Sequence, residues 1–204
     1  MRVTIFDYGA GNLHSLAKAL EQDGVTVEIE SDPVRAKATD VLVLPGVGAF
    51  GAAVARLAPG RMAMRDAIRS GLPTIGICLG MQLLFDASDE GGGDGLGIIA
   101  GRVTRLDAQR VPQIGWNDVA PVSGDSLFHS APLPIAYFAN SYVCRPADER
   151  AVIAWTTHEG DRFPAAVRAG NTIGVQFHPE KSSTAGVRFL HTFLQNAERL
   201  GVST

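Results

Sequence analysis

Only two cysteines, Cys78 and Cys144, occur in 204 residues. That is too few for a disulfide framework, and the chain reads as one kept in a reducing, cytoplasmic compartment. Charge of neither sign dominates: 18 Lys and Arg stand against 21 Asp and Glu, a formal net charge of −3. No basic run with interleaved aromatics occurs, which argues against nucleic acid as a partner. Long apolar runs are missing as well. No segment approaches the roughly 18 apolar residues of a membrane span. The opening Met1-Arg2-Val3-Thr4-Ile5-Phe6 is a short β-type run without the basic segment, apolar stretch or cleavage site of a leader. Histidine or cysteine pairs at ligand spacing are absent, so neither a metal nor another cofactor is expected.

What is present is the composition of an ordinary soluble protein, 46% hydrophobic and 19% charged, long enough for a substantial core in one domain spanning 1–204. Glycine is plentiful at 23 residues. Several stand in pairs, Gly46 with Gly48 and Gly76 with Gly80, where close backbone approach or a positive φ would be useful.

Patterning divides the chain. The first half alternates apolar β-type runs at Val3 to Phe6, Val25 to Ile29, Val41 to Leu44 and Thr74 to Ile77 with helical periodicity over Leu13 to Asp23, Phe50 to Leu57, Met62 to Ser70 and from Leu79 onward. Such alternation predicts a parallel sheet covered on both faces. The second half has shorter β-type runs at Ile98-Ile99, Val103 to Leu106, Ile135 to Tyr142, Val152 to Thr156, Ala165 to Val167 and Ile173 to Phe177, which predict hairpins and antiparallel additions. Gly91 to Gly95 reads as a flexible loop, and a last helix is predicted over Ser183 to Leu200. The expected fold is therefore a three-layer α/β arrangement with a mostly parallel central sheet, helices on both faces and an added antiparallel portion.

Two places carry chemistry. Gly76-Ile77-Cys78-Leu79-Gly80 puts a thiol between glycines where an apolar strand becomes a helix. That is the layout of a nucleophile elbow, whose crowded turn demands small neighbours and exposes the nucleophile above the sheet edge. A helix beginning at Leu79 would support a thiolate through its free N–H groups, and the Leu79 N–H could donate to an oxyanion. The alternative, a small buried residue ending a strand, is weakened by the flanking glycines. Cys144 has no such setting and reads as a packing or surface residue.

A thiol nucleophile needs an imidazole to take its proton and a third group to orient that ring. His178-Pro179-Glu180 follows the apolar strand Ile173 to Phe177, and in extended backbone His178 and Glu180 would point to one side. The other histidines are weaker candidates: His14 follows a turn, His129 and His158 stand in polar stretches expected to be loops, and His191 lies in a helical pattern.

Gly-Ile-Cys-Leu-Gly-Met-Gln at 76–82, together with Gln-Phe-His-Pro-Glu at 176–180, resembles the class I glutamine amidotransferases over essentially the whole chain. The resemblance implies a glutaminase with Cys78 as nucleophile, His178 as general acid and base and Glu180 as the orienting carboxylate, forming a γ-glutamyl thioester and releasing ammonia. It further implies an oxyanion region at Gly48 and Leu79, glutamine contacts at Gln82 and Glu90, and backbone contacts at Ser141 and Tyr142. Four finer segments, 7–12, 45–50, 112–117 and 178–182, are similar to the branch of that family that feeds ammonia to a (β/α)₈-barrel cyclase subunit in histidine biosynthesis. In that likeness Asn12, Trp116, Tyr137 and Lys181 face the cyclase, and the loop Pro45 to Gly48 rearranges to aim its N–H at the oxyanion. Ala139, Asn140 and Glu159 depart from that branch's usual residues. Other ammonia acceptors within the family, or a non-catalytic domain of the same fold, are the competing readings.

Overall fold

Strands with no exposed residue form the middle of the molecule. The computed structural model describes residues 1–9, 11 and 13–201. Its first half runs β1 (Arg2–Phe6), α1 (Leu13–Leu20), β2 (Thr26–Glu30), α2 (Pro33–Ala36), β3 (Val41–Leu44), α3 (Phe50–Leu57), α4 (Arg61–Arg69), β4 (Thr74–Ile77) and α5 (Leu79–Leu83). The second half adds β5 (Ala87–Ser88), β6 (Gly101–Arg105), β7 (Gln113–Asp118), β8 (Ala120–Pro121), α6 (Ser126–Ser130), β9 (Ile135–Asn140), β10 (Tyr142–Pro146), β11 (Val152–His158), β12 (Asp161–Ala169), β13 (Thr172–Val175) and α7 (Ser183–Gly201).

The central sheet has eight strands in the order β2-β1-β3-β4-β13-β12-β11-β8. The first five are mutually parallel, and β12, β11 and β8 extend the sheet antiparallel. Period-two alternation decides which side chain meets which layer. On β1 and β3, Val3, Ile5, Val41 and Val43 join the cluster made with Leu13 and Leu16 of α1 and Phe189, Leu190, Phe193 and Leu194 of α7. Their neighbours Phe6, Leu42 and Leu44 face the opposite cluster, with Phe50 and Leu57 of α3 and Met64 and Ile68 of α4. Both faces are thus covered, as the unbroken apolar run of β3 and the fully buried β4 require. Edge strand β2 has no fully buried residue.

Local details differ from the sequence expectations. The Ile98-Ile99 run is not a strand; both N–H groups bond to the Leu84 carbonyl, closing the chain beyond α5. The run Ile135 to Tyr142 breaks at Ser141, because β9 pairs with β7 while β10 pairs with β6. Helix α1 stops at Leu20, ahead of Gly24 with its φ of +76°. Two short helices were not anticipated; each is opened by an aspartate, Asp32 accepting from Val34 and Arg35 and Asp125 from Leu127 and Phe128. Four or five residues are too few to leave a helical period in the sequence. Among the described residues, no helix is long and apolar enough to cross a membrane.

Candidate active site

β4 and β13 lie side by side with Ile77 opposite Val175. The residues that follow, Cys78 on one strand and Gln176 to His178 on the other, therefore leave the sheet together at its C-terminal edge, where α/β folds place their sites. Cys78 adopts φ 48° and ψ −104°, a strained conformation for a residue with a side chain. Its N–H is held by the Val175 carbonyl at 2.7 Å. Sterics explain the flanking glycines: a Cβ on Gly76 would stand 2.5 Å from the Gly80 carbonyl oxygen, and one on Gly80 would overlap the Leu44 carbonyl. Helix α5 is only five residues long. The support for a thiolate expected from a helix beginning at Leu79 therefore comes from the N–H groups of little more than one turn.

His178 is 1% exposed. Its Nδ1 lies 2.8 Å from Glu180 Oε1, and the ring and the Cys78 thiol line the same cleft. Glu180 does not reach the ring along extended backbone, as the sequence suggested. Residues Pro179–Lys181 form a 3₁₀ turn that folds the carboxylate back toward the imidazole. Ser182, which sequence reasoning passed over inside a motif, fixes this turn: its hydroxyl donates to the His178 carbonyl at 2.6 Å and accepts from Tyr137 N–H at 2.9 Å. Burial disfavours a charged ring, but the Cys78 sulfur and the Glu180 carboxylate together outweigh it. The imidazole is pushed up from its ordinary 6.5 to about 10.

A cleft of about 240 Å³ opens over the thiol and gathers Gly48, Leu79, Gln82, Glu90, Ser141 and Tyr142 around Cys78 and His178, with Lys181 at its margin. Gln82 is buried and donates to the Tyr142 carbonyl at 3.2 Å, an acceptor it shares with Asn140. The Ser141 carbonyl already accepts from Leu106 N–H at 2.9 Å. Glu90 has a second task. Its Oε2 accepts from Phe50 N–H at 3.1 Å and so caps α3, which supplies no side-chain cap of its own, at the end of the glycine loop. Gly48 in that loop has a φ of +134°, which favours glycine.

Gly46 was paired with Gly48 in the sequence, and its role is contact. A Cβ there would lie 2.8 Å from His178 Cε1 and 3.2 Å from Nδ1. Gly46→Ala is therefore expected to push the imidazole off its line with Cys78 and lower glutamine turnover roughly 100-fold, the usual order for an ångström of misplacement. Steady-state kinetics beside a thermal melt would check this, and parent-like turnover would show that the ring yields without cost.

Trp116 and Tyr137 are paired across β7 and β9 with ring centroids 6.3 Å apart. Trp116 is 53% exposed, and Ile114 and Ile135 on the same ribbon are 67% and 46% exposed. Lys181 is exposed beside the cleft. Asn12 lies outside the described residues. Of the departing positions, Ala139 presents its carbonyl to Cys78 Sγ at 3.9 Å. Glu159 binds Arg110 at 2.6 Å in the β11–β12 turn.

The remaining histidines stand apart from the thiol, though not all where expected. His129 is on α6 and His158 on β11 rather than in loops, the latter bonded to the Arg110 carbonyl at 3.0 Å. His14 is exposed on α1, and His191 ties α7 to the Ala19 carbonyl of α1 at 3.0 Å. Cys144 is free and fully buried, and burial pushes its thiol well up, so it is a packing residue.

Comparison with known proteins bears on this arrangement. The family described as glutamine amidotransferase class-I matches residues 4–197. A protein of Symbiobacterium thermophilum named imidazole glycerol phosphate synthase subunit HisH is 46% identical over 194 residues, covering 93% of this chain and 91% of its own. One of Halobacterium salinarum with the same name is 43% identical over 201 residues, covering 94% and 92%. A solved glutamine amidotransferase superposes with a TM-score of 0.73 at 20% identity, over 96% of this chain and 98% of that one. The glutaminase domain of Trypanosoma brucei CTPS, solved with bound acivicin, gives 0.69 at 19% identity, over 97% and 93%.

Proposed function

The chain belongs to the class-I glutamine amidotransferase family, and from that premise we propose that it is the glutaminase subunit of imidazole glycerol phosphate synthase. The observation that carries the chemistry is the line Cys78–His178–Glu180, with the imidazole between a thiol and a carboxylate 2.8 Å away. The relatives carrying that subunit name supply the pathway.

The Cys78 thiolate attacks the side-chain carbonyl carbon of glutamine, and the carbonyl oxygen becomes an oxyanion facing the Leu79 and Gly48 backbone N–H groups. His178, protonated, gives its proton to the leaving nitrogen, and ammonia departs to leave a γ-glutamyl thioester. Water then loses a proton to His178 as it attacks the thioester carbon. Collapse expels the thiolate and frees glutamate, and His178 is again protonated. Glu180 holds the ring tautomer throughout. Gln82, Glu90 and the Ser141–Tyr142 backbone orient glutamine in the cleft.

Ammonia passes to a (β/α)₈-barrel cyclase subunit, which joins it to a phosphoribulosyl-formimino carboxamide nucleotide and yields imidazole glycerol phosphate and AICAR. The exposed apolar ribbon carrying Trp116, Ile114 and Ile135, with Tyr137 packed on Trp116 and Lys181 beside the cleft, is the face that docks this partner in a cytoplasmic heterodimer. Since the Pro45 to Gly48 loop supplies one oxyanion donor, a partner that sets this loop is expected to raise glutamine turnover about 10²- to 10³-fold, the worth of one such donor. The test is glutamate release by the purified chain alone, with the cyclase, and with the cyclase plus its nucleotide. Full activity in the isolated chain, unchanged by either addition, would overturn the dependence; stimulation by a different acceptor nucleotide would reassign the pathway.

A further inference from the structure

Gln176 is a buried polar side chain beside the nucleophile to which the chemistry above gives no task. It is 0% exposed. Its Nε2 lies 3.4 Å from Cys78 Sγ, and among the described residues that sulfur is the side chain's hydrogen-bond partner. Its Oε1 is buried without a partner. The position is fixed by the backbone, since Gln176 N–H bonds to the Ala165 carbonyl of β12 at 2.8 Å while the preceding β13 pairs with β4. A residue serving packing alone would be better apolar here, because a buried carboxamide with an idle carbonyl is unfavourable.

We propose that the Gln176 carboxamide is a catalytic hydrogen-bond donor to Cys78, holding its sulfur as the thiolate alongside His178. This rests on Cys78 being the nucleophile. A donor aimed at a sulfur favours the charged form over the neutral one. Thiolate and imidazolium then share the load: His178 must release its proton to the leaving ammonia, whereas Gln176 keeps its N–H on sulfur through the whole cycle. The donor also helps the second half of the reaction, since a stabilised thiolate is the better leaving group when the thioester is hydrolysed. The other ionisable groups around the thiol are His178 backed by Glu180, Tyr8 and Cys144, with Glu90 and Lys181 across the cleft. The Ala139 carbonyl, 3.9 Å from Sγ, works against ionisation as an acceptor for the neutral thiol.

The test is the pH profile of Cys78 alkylation by iodoacetamide in the full chain, resolved from Cys144 by peptide mass. In Gln176→Met, which keeps the length and removes the donor, the midpoint is expected to rise by about one pH unit, so that alkylation below the midpoint slows about tenfold. The high-pH plateau stays at the parent value. A midpoint that does not move in a folded variant overturns the proposal. Should Gln176→Met fail to fold, seen as rapid alkylation of Cys144 and loss of the thermal transition, Gln176→Glu decides. It is nearly isosteric and, once ionised, places a negative charge where the donor was, so its midpoint must rise at least as far. Alkylation needs neither glutamine nor a partner. A chain that turned over no glutamine would still report on Gln176, which separates this proposal's failure from failure of the functional reading.

Discussion

Cys78→Ala in the assembled synthase is expected to lower glutamine hydrolysis by at least about 10⁴-fold, the order seen when a covalent nucleophile is removed from a triad that works as a unit. The loss is chemical. Cys78 is 6% exposed and its backbone conformation, φ 48°, is one alanine tolerates about as well as cysteine, so the turn into α5 persists. Synthesis supported by added ammonium salts should be retained, because ammonia then reaches the partner without the thiol. His178 reports on the same change. The Cys78 sulfur is among the groups that push its imidazole up to about 10 against the opposing effect of burial, and removing it must bring that value down, which an NMR titration of the ring reads directly. Glutamine hydrolysis that survived the substitution in the complex would sink the covalent mechanism, whatever happened to the titration.

How much of this was legible without coordinates varies from residue to residue. The strands β3 and β4 were plain because four consecutive buried positions leave a short, mostly apolar run, ended by Pro45-Gly46 after β3 and by the elbow after β4. Cys78 was legible through its glycines, since a crowded strand-to-helix turn imposes them locally. Contacts between residues distant in sequence left no such trace. That Gly46 packs on the His178 ring, that Glu90 caps α3, and that Gln176 points at the sulfur depend on which strands become neighbours. The break at Ser141 was hidden for the same reason: nothing in Tyr137 to Tyr142 says that two halves of one apolar run will choose different partners, β7 and β6. His178 and Glu180 were paired correctly on a mistaken geometry, because spacing of two residues suits an extended strand and a 3₁₀ turn alike.

That turn makes Glu180 the most informative second substitution. Glu180→Gln preserves shape and removes the charge, and glutamine turnover is expected to fall by about 10⁴-fold, the scale for an orienting carboxylate replaced by its amide. The amide can present its NH₂ to Nδ1 and so favour the ring tautomer that cannot serve as base toward Cys78. Stability should change with a definite sign. The folded imidazole of the parent titrates near 10, above its ordinary 6.5, so its protonation stabilises the fold fully below about 6.5 and this contribution is lost as pH rises through about 10. Glu180 is one of the groups raising that value, and without it the contribution disappears at lower pH. Melting temperatures of parent and variant should therefore be furthest apart around pH 6.5, where the parent's contribution is complete, and converge as pH rises toward about 10. The unpartnered Glu180 Oε2, buried beside the ring, makes the comparison sharper: the amide leaves a neutral polar atom in its place, so loss of the ion pair rather than a new unpaired charge governs the difference. Parallel melting curves at every pH, together with parent-like turnover, would mean that the carboxylate neither charges nor aims the imidazole.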